Sequence, residues 1–240
     1  LLIILISILS ISCASNNTIV NQPSDSLIVT GKIATTFANT ITTADLKKHL
    51  YIIASDDFEG RETGEPGQKK AAEYLKNFYI EHSIASPYGG SDYFQSIPTE
   101  HLRSGLKPSE NVIAFIEGNE KPHEIIVVSA HYDHLGMRNG KIYNGADDDG
   151  SGTVAILEIA EAFQNAVEKG KGPKRSILFL HVTGEEKGLL GSKYYTTFPV
   201  FPLEKTVADL NIDMIGRVDA AHTNNPNFVY LIGSDKLSTE

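Results

Sequence analysis

Two adjacent glutamates, Glu185 and Glu186, close an apolar run, and His131, Asp133, Asp148 and Asp213 hold comparable places in three other segments. Histidine nitrogen and carboxylate oxygen are donors that suit a divalent cation such as zinc. Neighbouring carboxylates can divide the work, one binding the cation while the other stays free to move protons. A cation also accounts for the crowding, because clustered acids resist ionising together unless positive charge offsets them. Two cations about 3.5–4 Å apart need a shared ligand, and Asp148 is the best placed candidate.

Plainer accounts exist for some of these residues. Asp147, Asp148 and Asp149 precede a run with helical spacing, where free N–H groups and the helix dipole favour anions, so alone they read as a capping cluster. Ser151 stands in Gly150-Ser151-Gly152, which lacks the spacing of a nucleophile elbow, and a serine hydrolase is set aside. Arg61, within Glu59-Gly60-Arg61-Glu62-Thr63-Gly64, fits equally a rim loop that steadies a carboxylate and a simple glycine turn. His134 and His181 are read as packing or supporting groups near the site. His49, His82, His101 and His123 have no metal-like company.

These side chains need elements to hold them. Thr42 and Asp45 form a capping box before a helix through Leu46, Leu50 and Ile53. A loop over Ser55–Gly67 follows, and Ala71, Leu75, Phe78, Tyr79 and His82 recur at helical spacing, which predicts a helix over Gly67–Ser83. Strands are expected at Asn111–Ile116, Glu124–Ala130, Ser176–Thr183, Thr206–Ile212 and Phe228–Ile232, with helices at Gly152–Val167 and just after Gly188. The near-continuous apolar runs Ile125–Val128 and Ile177–Leu180 suit a sheet covered on both faces. The expected architecture is a three-layer α/β sandwich around a mixed, mostly parallel sheet, with the acids and His131 at strand ends, where loops aim side chains.

With 240 residues, 41% of them hydrophobic, the chain is long enough for one substantial core. A net charge of -9 argues against nucleic acid or an anionic membrane surface as partner. Leu1–Ile11 has the length and apolarity of a signal-peptide core, although neither Met nor a basic stretch precedes it. Cys13, the only cysteine, then looks like the lipid-bearing residue of a bacterial lipoprotein. The alternative is cleavage after Ala14. The expected organisation is a partial signal at 1–14, a flexible tether at 15–40 and a catalytic domain at 41–240; export, and contact with a membrane only through Cys13, follow from it.

Together His131-Tyr132-Asp133, the run from Asn144 to Gly152, the run from Gly184 to Ser192 and Asn211-Ile212-Asp213 resemble metallopeptidase family 28, the co-catalytic zinc aminopeptidases, over roughly residues 43–240. The resemblance implies two Zn2+ per full-length chain, one held by His131, Asp148 and Asp213 and the other by Asp148 and Glu186. It implies Glu185 as general base toward a zinc-polarised water and Asp133 as the group that orients the His131 ring. It also implies a further histidine ligand from a later loop, so that the sequence is expected to stop short of it; His222, in a polar loop, is read as solvated. The implied activity is that of an exopeptidase, foremost an aminopeptidase acting on peptides with a free N-terminus. A carboxypeptidase, dipeptidase or glutaminyl cyclase of the same family, or a metal-free receptor-like homologue, are the alternatives.

Overall fold

The computed structural model describes residues 25–233. Two helices come first, α1 (Asp25–Ala38) and α2 (Thr43–Ile53), then a tight loop and α3 (Pro66–Glu81). The capping box forms in front of α2, where the Asp45 N–H donates to Thr42 Oγ1 at 3.2 Å. Helix α1 occupies residues 25–38 of the stretch expected as a flexible tether over 15–40. Ile33 and Phe37, one helical turn apart, line a cleft whose other wall includes Ile159 and Phe163, an i,i+4 pair that the surrounding Thr and Asn residues hide from a composition reading. The apolar start and Cys13 lie outside the described residues. No helix among the described residues is long and apolar enough to cross a membrane.

After α3 come β1 (Phe94–Ile97), β2 (Ser109–Ile116) and β3 (Lys121–His131), a small hairpin of β4 (Gly136–Arg138) and β5 (Lys141–Tyr143), and α4 (Gly152–Glu168). Then follow β6 (Arg175–Val182), α5 (Leu190–Thr197) and β7 (Thr206–Asn211). The main sheet has the order β1-β2-β6-β3-β7. β6, β3 and β7 run parallel, whereas β1 and β2 are antiparallel to their neighbours.

Alternate residues of each strand face opposite layers, as a pleated strand requires. Val112, Ala114, Val128, Ala130, Ile177 and Phe179 pack with Leu75, Phe78 and Tyr79 of α3 and Ile156 and Leu157 of α4. Ile113, Val127, Leu178, Leu180 and Val182 pack with Tyr195 of α5 on the other face. The result is the expected three-layer α/β sandwich. Phe228–Ile232 is not a strand, contrary to expectation: Leu231 and Ile232 are 80% and 94% exposed. Strand propensity yields a strand only where a neighbour completes the ladder, and none of the described strands pairs with this segment.

One topological fact places the site. Because β3, β6 and β7 are parallel and adjacent, with His131 beside Val182 and Ser129 beside Asn211, their C-terminal ends emerge at one edge, where ligand sites of open α/β sheets gather. His131 ends β3, Glu185 and Glu186 follow β6, and Asp213 follows β7.

Candidate metal centre

Two groups of three donors form at that edge. His131, Asp148 and Asp213 bring one ligand atom each within 4.8 Å of one another, and so do His134, Asp148 and Glu186. Asp148 is common to both, as a bridging ligand must be. Its Oδ1 lies 3.0 Å from His131 Nε2 and 3.9 Å from His134 Nδ1. The residue set fits a cation on a further count. His134 Nδ1 and Glu186 Oε1 are buried and lie 2.8 Å apart, yet neither makes a hydrogen bond among the described residues. Buried polar atoms left bare are costly unless an unseen partner serves them.

The three consecutive aspartates have separate tasks. Asp147 accepts from the Gly216 N–H at 2.9 Å and from Arg217 Nε at 2.9 Å, holding the loop that follows β7. Asp148 faces the histidines. Asp149, fully buried, accepts from the Gly152 N–H at 2.9 Å, which opens α4, and from the Met214 N–H at 3.2 Å. The capping account was therefore right for Asp149, and the same carboxylate ties Asp213's loop to Asp148's.

Asp133 is placed differently from the expectation. The His131 Nδ1 hydrogen bond, 3.0 Å, goes to the Asp133 backbone carbonyl, while the carboxylate is 3.7 Å away. That carboxylate, with no exposure, instead accepts from Thr63 Oγ1 at 2.7 Å and from the Glu185 N–H at 3.1 Å. It thus joins the loop before α3 to the start of the glutamate pair and reaches His131 chiefly through its charge.

Arg61 also departs from both readings of its loop. It is completely buried and donates to four carbonyls: Tyr132 from Nε at 2.7 Å, Ile53 and Asn144 from Nη1 at 2.7 Å each, and Gly145 from Nη2 at 2.8 Å. Its own carbonyl accepts from the His134 N–H at 3.0 Å. Burial lowers its pKa to about 10, with Asp133, Asp149 and Asp148 opposing that shift, so it stays charged at neutral pH.

The electrostatics are those of an acid-rich site. Burial opposes a proton on His131, but Asp133, Asp149 and Glu185 outweigh it and raise its pKa to about 9. Burial raises the pKa of Glu185 and of Asp213, against the pull of His131. Burial likewise lifts Asp149 to about 8. Glu185 and Glu186 part company in space: Glu185 lines a cavity of about 380 Å³ with His131, Asp213, Leu180, Val182 and Tyr195, whereas Glu186 turns to His134.

Two residues that the sequence reading left at the margin stand in the site: His134 beside Asp148 and Glu186, and Arg61 beneath the loops that carry them. The only signal for His134 was its place three residues after His131 in a strand-end loop. His222 belongs to neither donor group; its Nδ1 lies 2.7 Å from Asp219 Oδ1 and its ring stacks on Phe228. His181 is buried against Tyr79, 2.6 Å from its hydroxyl, away from the donors.

Known proteins share this architecture. A Zn-dependent exopeptidase from Parabacteroides distasonis superposes with a TM-score of 0.58 at 19% identity, over 75% of this chain and 63% of that one. The glutaminyl cyclase of Porphyromonas gingivalis gives 0.58 at 20% identity, over 73% and 60%. Leupeptin-inactivating enzyme 1 of Streptomyces exfoliatus is 29% identical over 204 residues, 83% of this chain and 40% of the relative. Aminopeptidase NAALADL1 of Mus musculus is 35% identical over 116 residues, 48% and 15%. The chain thus spans less than half the length of these two relatives. The family model of peptidase family M28 matches residues 111–234. The chain belongs to peptidase family M28.

Proposed function

We propose that this chain carries the zinc-binding half of an exopeptidase site, and that the whole protein is an aminopeptidase acting on peptides with a free N-terminus. One observation carries the proposal: two donor triads share Asp148 beside a cavity that Glu185 lines. Bound zinc would supply a Lewis acid for the scissile carbonyl and a water acidified toward neutral pH. His131, Asp148 and Asp213 would hold one ion, and Asp148 and Glu186 the other.

Glu185 is the proton carrier in this reading. Its backbone is fixed through the Asp133 carboxylate, its carboxyl faces the cavity, and burial raises its affinity for a proton. A base with a raised pKa can take a proton from water and return it to a departing amine near neutral pH. The wall of Val127, Leu180, Val182, Leu189 and Tyr195 would exclude water from an apolar substrate side chain. Names among the relatives and structural neighbours, an aminopeptidase, a leupeptin-inactivating enzyme and a Zn-dependent exopeptidase, support the exopeptidase reading.

The likeness to a glutaminyl cyclase supplies a second reading, and a panel of substrates separates the two. Zinc-loaded full-length protein should release chromophore from amino-acid anilides. Cyclisation of N-terminal glutamine without release of any residue would overturn the aminopeptidase reading. Export through Leu1–Ile11 and lipidation at Cys13 remain part of the proposal; incorporation of labelled palmitate, abolished in Cys13→Ser, is the check.

A further inference from the structure

We propose that Asn111, a fully buried amide on β2, is a positioning residue for Glu185: it fastens both ends of the loop that carries the glutamate and so sets where the carboxyl stands in the cavity. The inference deepens the reading of Glu185 as proton carrier and rests on it. Asn111 belongs to neither donor group, and β2 borders β6 on the side away from β3.

The loop leaves β6 at Thr183 and closes at Gly191, in the first turn of α5. Asn111 Oδ1 accepts from the Thr183 N–H at 3.1 Å, and Nδ2 donates to the Gly191 carbonyl at 2.9 Å and to Gln95 Oε1 at 2.9 Å. One end of the loop thus supplies a backbone donor and the other a backbone acceptor, so the amide fits only one way round. Gln95, on β1, in turn donates from Nε2 to the Phe198 carbonyl at 2.7 Å, just past α5. Between the ends, the Gly191 N–H reaches the Thr183 carbonyl at 2.8 Å and the Leu190 N–H the Gly184 carbonyl at 2.9 Å. Gly191 admits this closure because it has no side chain: a Cβ there would fall 2.3 Å from Asn111 Oδ1 and 2.4 Å from the Thr183 carbonyl oxygen.

Glu185 depends on that loop for its aim. Its N–H is held by Asp133 at 3.1 Å, and its carbonyl accepts from the Gly188 and Leu189 N–H groups at 2.8 and 3.0 Å. Its carboxyl, by contrast, accepts no hydrogen bond among the described residues. Backbone placement therefore decides where the carboxyl stands. Proton transfer is sensitive to such placement, and a shift of about 1 Å can cost on the order of 100-fold in rate.

A double-mutant cycle separates positioning from general loosening. Zinc-loaded full-length protein is assayed on an amino-acid anilide, or on an N-terminal glutamine peptide if that is what the wild type turns over. Asn111→Ala should lower kcat on the order of 100-fold and change KM by less than about threefold. In a Glu185→Gln background the same substitution should change the residual turnover by less than about threefold, because the group it aims is already gone. Equal losses in both backgrounds, or a loss carried by KM alone, would overturn the positioning role. Gln95→Leu, which leaves both loop bonds but frees the amide's third partner, should slow turnover about tenfold with the same dependence on Glu185; this arm stands if Asn111→Ala fails to fold. Hydrogen exchange of the metal-free chain reads the fastening without any turnover: Asn111→Ala should speed exchange at Thr183, Leu190 and Gly191 on the order of 10- to 100-fold and leave Val128 in β3 unchanged. Unchanged exchange at those three amides would overturn the inference about Asn111 alone. A wild type that turns over neither substrate would overturn the reading of Glu185, and the positioning role with it.

Discussion

Replacing Arg61 by lysine keeps the positive charge but removes the fork that spans four carbonyls. An ammonium has three N–H donors on one atom, so one or two of those buried oxygens must go bare. Each buried acceptor left without a donor costs about 1–3 kcal/mol, which puts Arg61→Lys at roughly 2–4 kcal/mol. Against a total stability of about 5–15 kcal/mol that is a large share. Urea unfolding of the metal-free chain, followed by circular dichroism, reads it directly: with a slope near 2 kcal/mol/M, the midpoint should fall by about 1–2 M. Zinc affinity should fall too, because the Tyr132, Asn144 and Gly145 carbonyls belong to the two loops that carry His131, His134 and Asp148. Arg61→Met, similar in length and without donors, should be worse than lysine. A lysine variant whose midpoint moves by less than about 0.3 M would refute the idea that these four bonds hold the loops together.

Three further outcomes follow from the same geometry. Glu185→Gln should retain zinc and lose at least about 100-fold in turnover, whereas Glu186→Ala should lose zinc; equal metal loss in both would undo the division of labour. Zinc uptake at pH 7.5 should expel about one proton, since His131, with its pKa raised to about 9, must give up its proton to bind through Nε2; calorimetry in buffers of differing ionisation heat counts it, and no release would contradict the charged His131. Burial depresses His181 to about 3, against about 6.5 when unfolded, so its contribution is whole above pH 6.5 and drains away as the pH falls and the unfolded chain gains the proton. Between pH 6.5 and 5 the metal-free protein should therefore lose about 2 kcal/mol more than His181→Gln, and parallel pH profiles would remove His181 as the cause.

Much of this site can be read from residue order because strand ends are local features. Apolar runs locate β3, β6 and β7, so the chemistry at their ends can be named, and Thr42 with Asp45 marks a helix start within four residues. Arg61 could not be read in this way: its acceptors sit as far along the chain as Gly145, 84 residues on, and no local pattern encodes a meeting of three loops. The place of His134 is hidden for a related reason, because only the turn after β3 brings its ring beside Asp148 and Glu186. For Asp133 the spacing located the residue, but whether carbonyl or carboxylate reaches the imidazole depends on the turn. The Phe228–Ile232 reading failed because propensity was taken without a partner.

Strand β6 lies between β2 and β3, both of which precede it by more than a helix. During synthesis, therefore, β2 and β3 emerge as separate edges, and neither gains its shared neighbour until Val182 has been made. At about 5–20 residues per second that leaves β3 unpaired for several seconds, open to wrong partners. Helix α4, built from local contacts, can form in that interval and shelter one face of β3. Glu185 and Glu186 are made within four residues of β6's end, so the β2-β6-β3 ladder closes and this acidic pair arrives at nearly the same moment. His131 and Asp148 precede β6, but the donors that complete each group, Glu186 and Asp213, follow the strands that close the ladder, so the full metal centre forms only on a chain whose central strands are already paired.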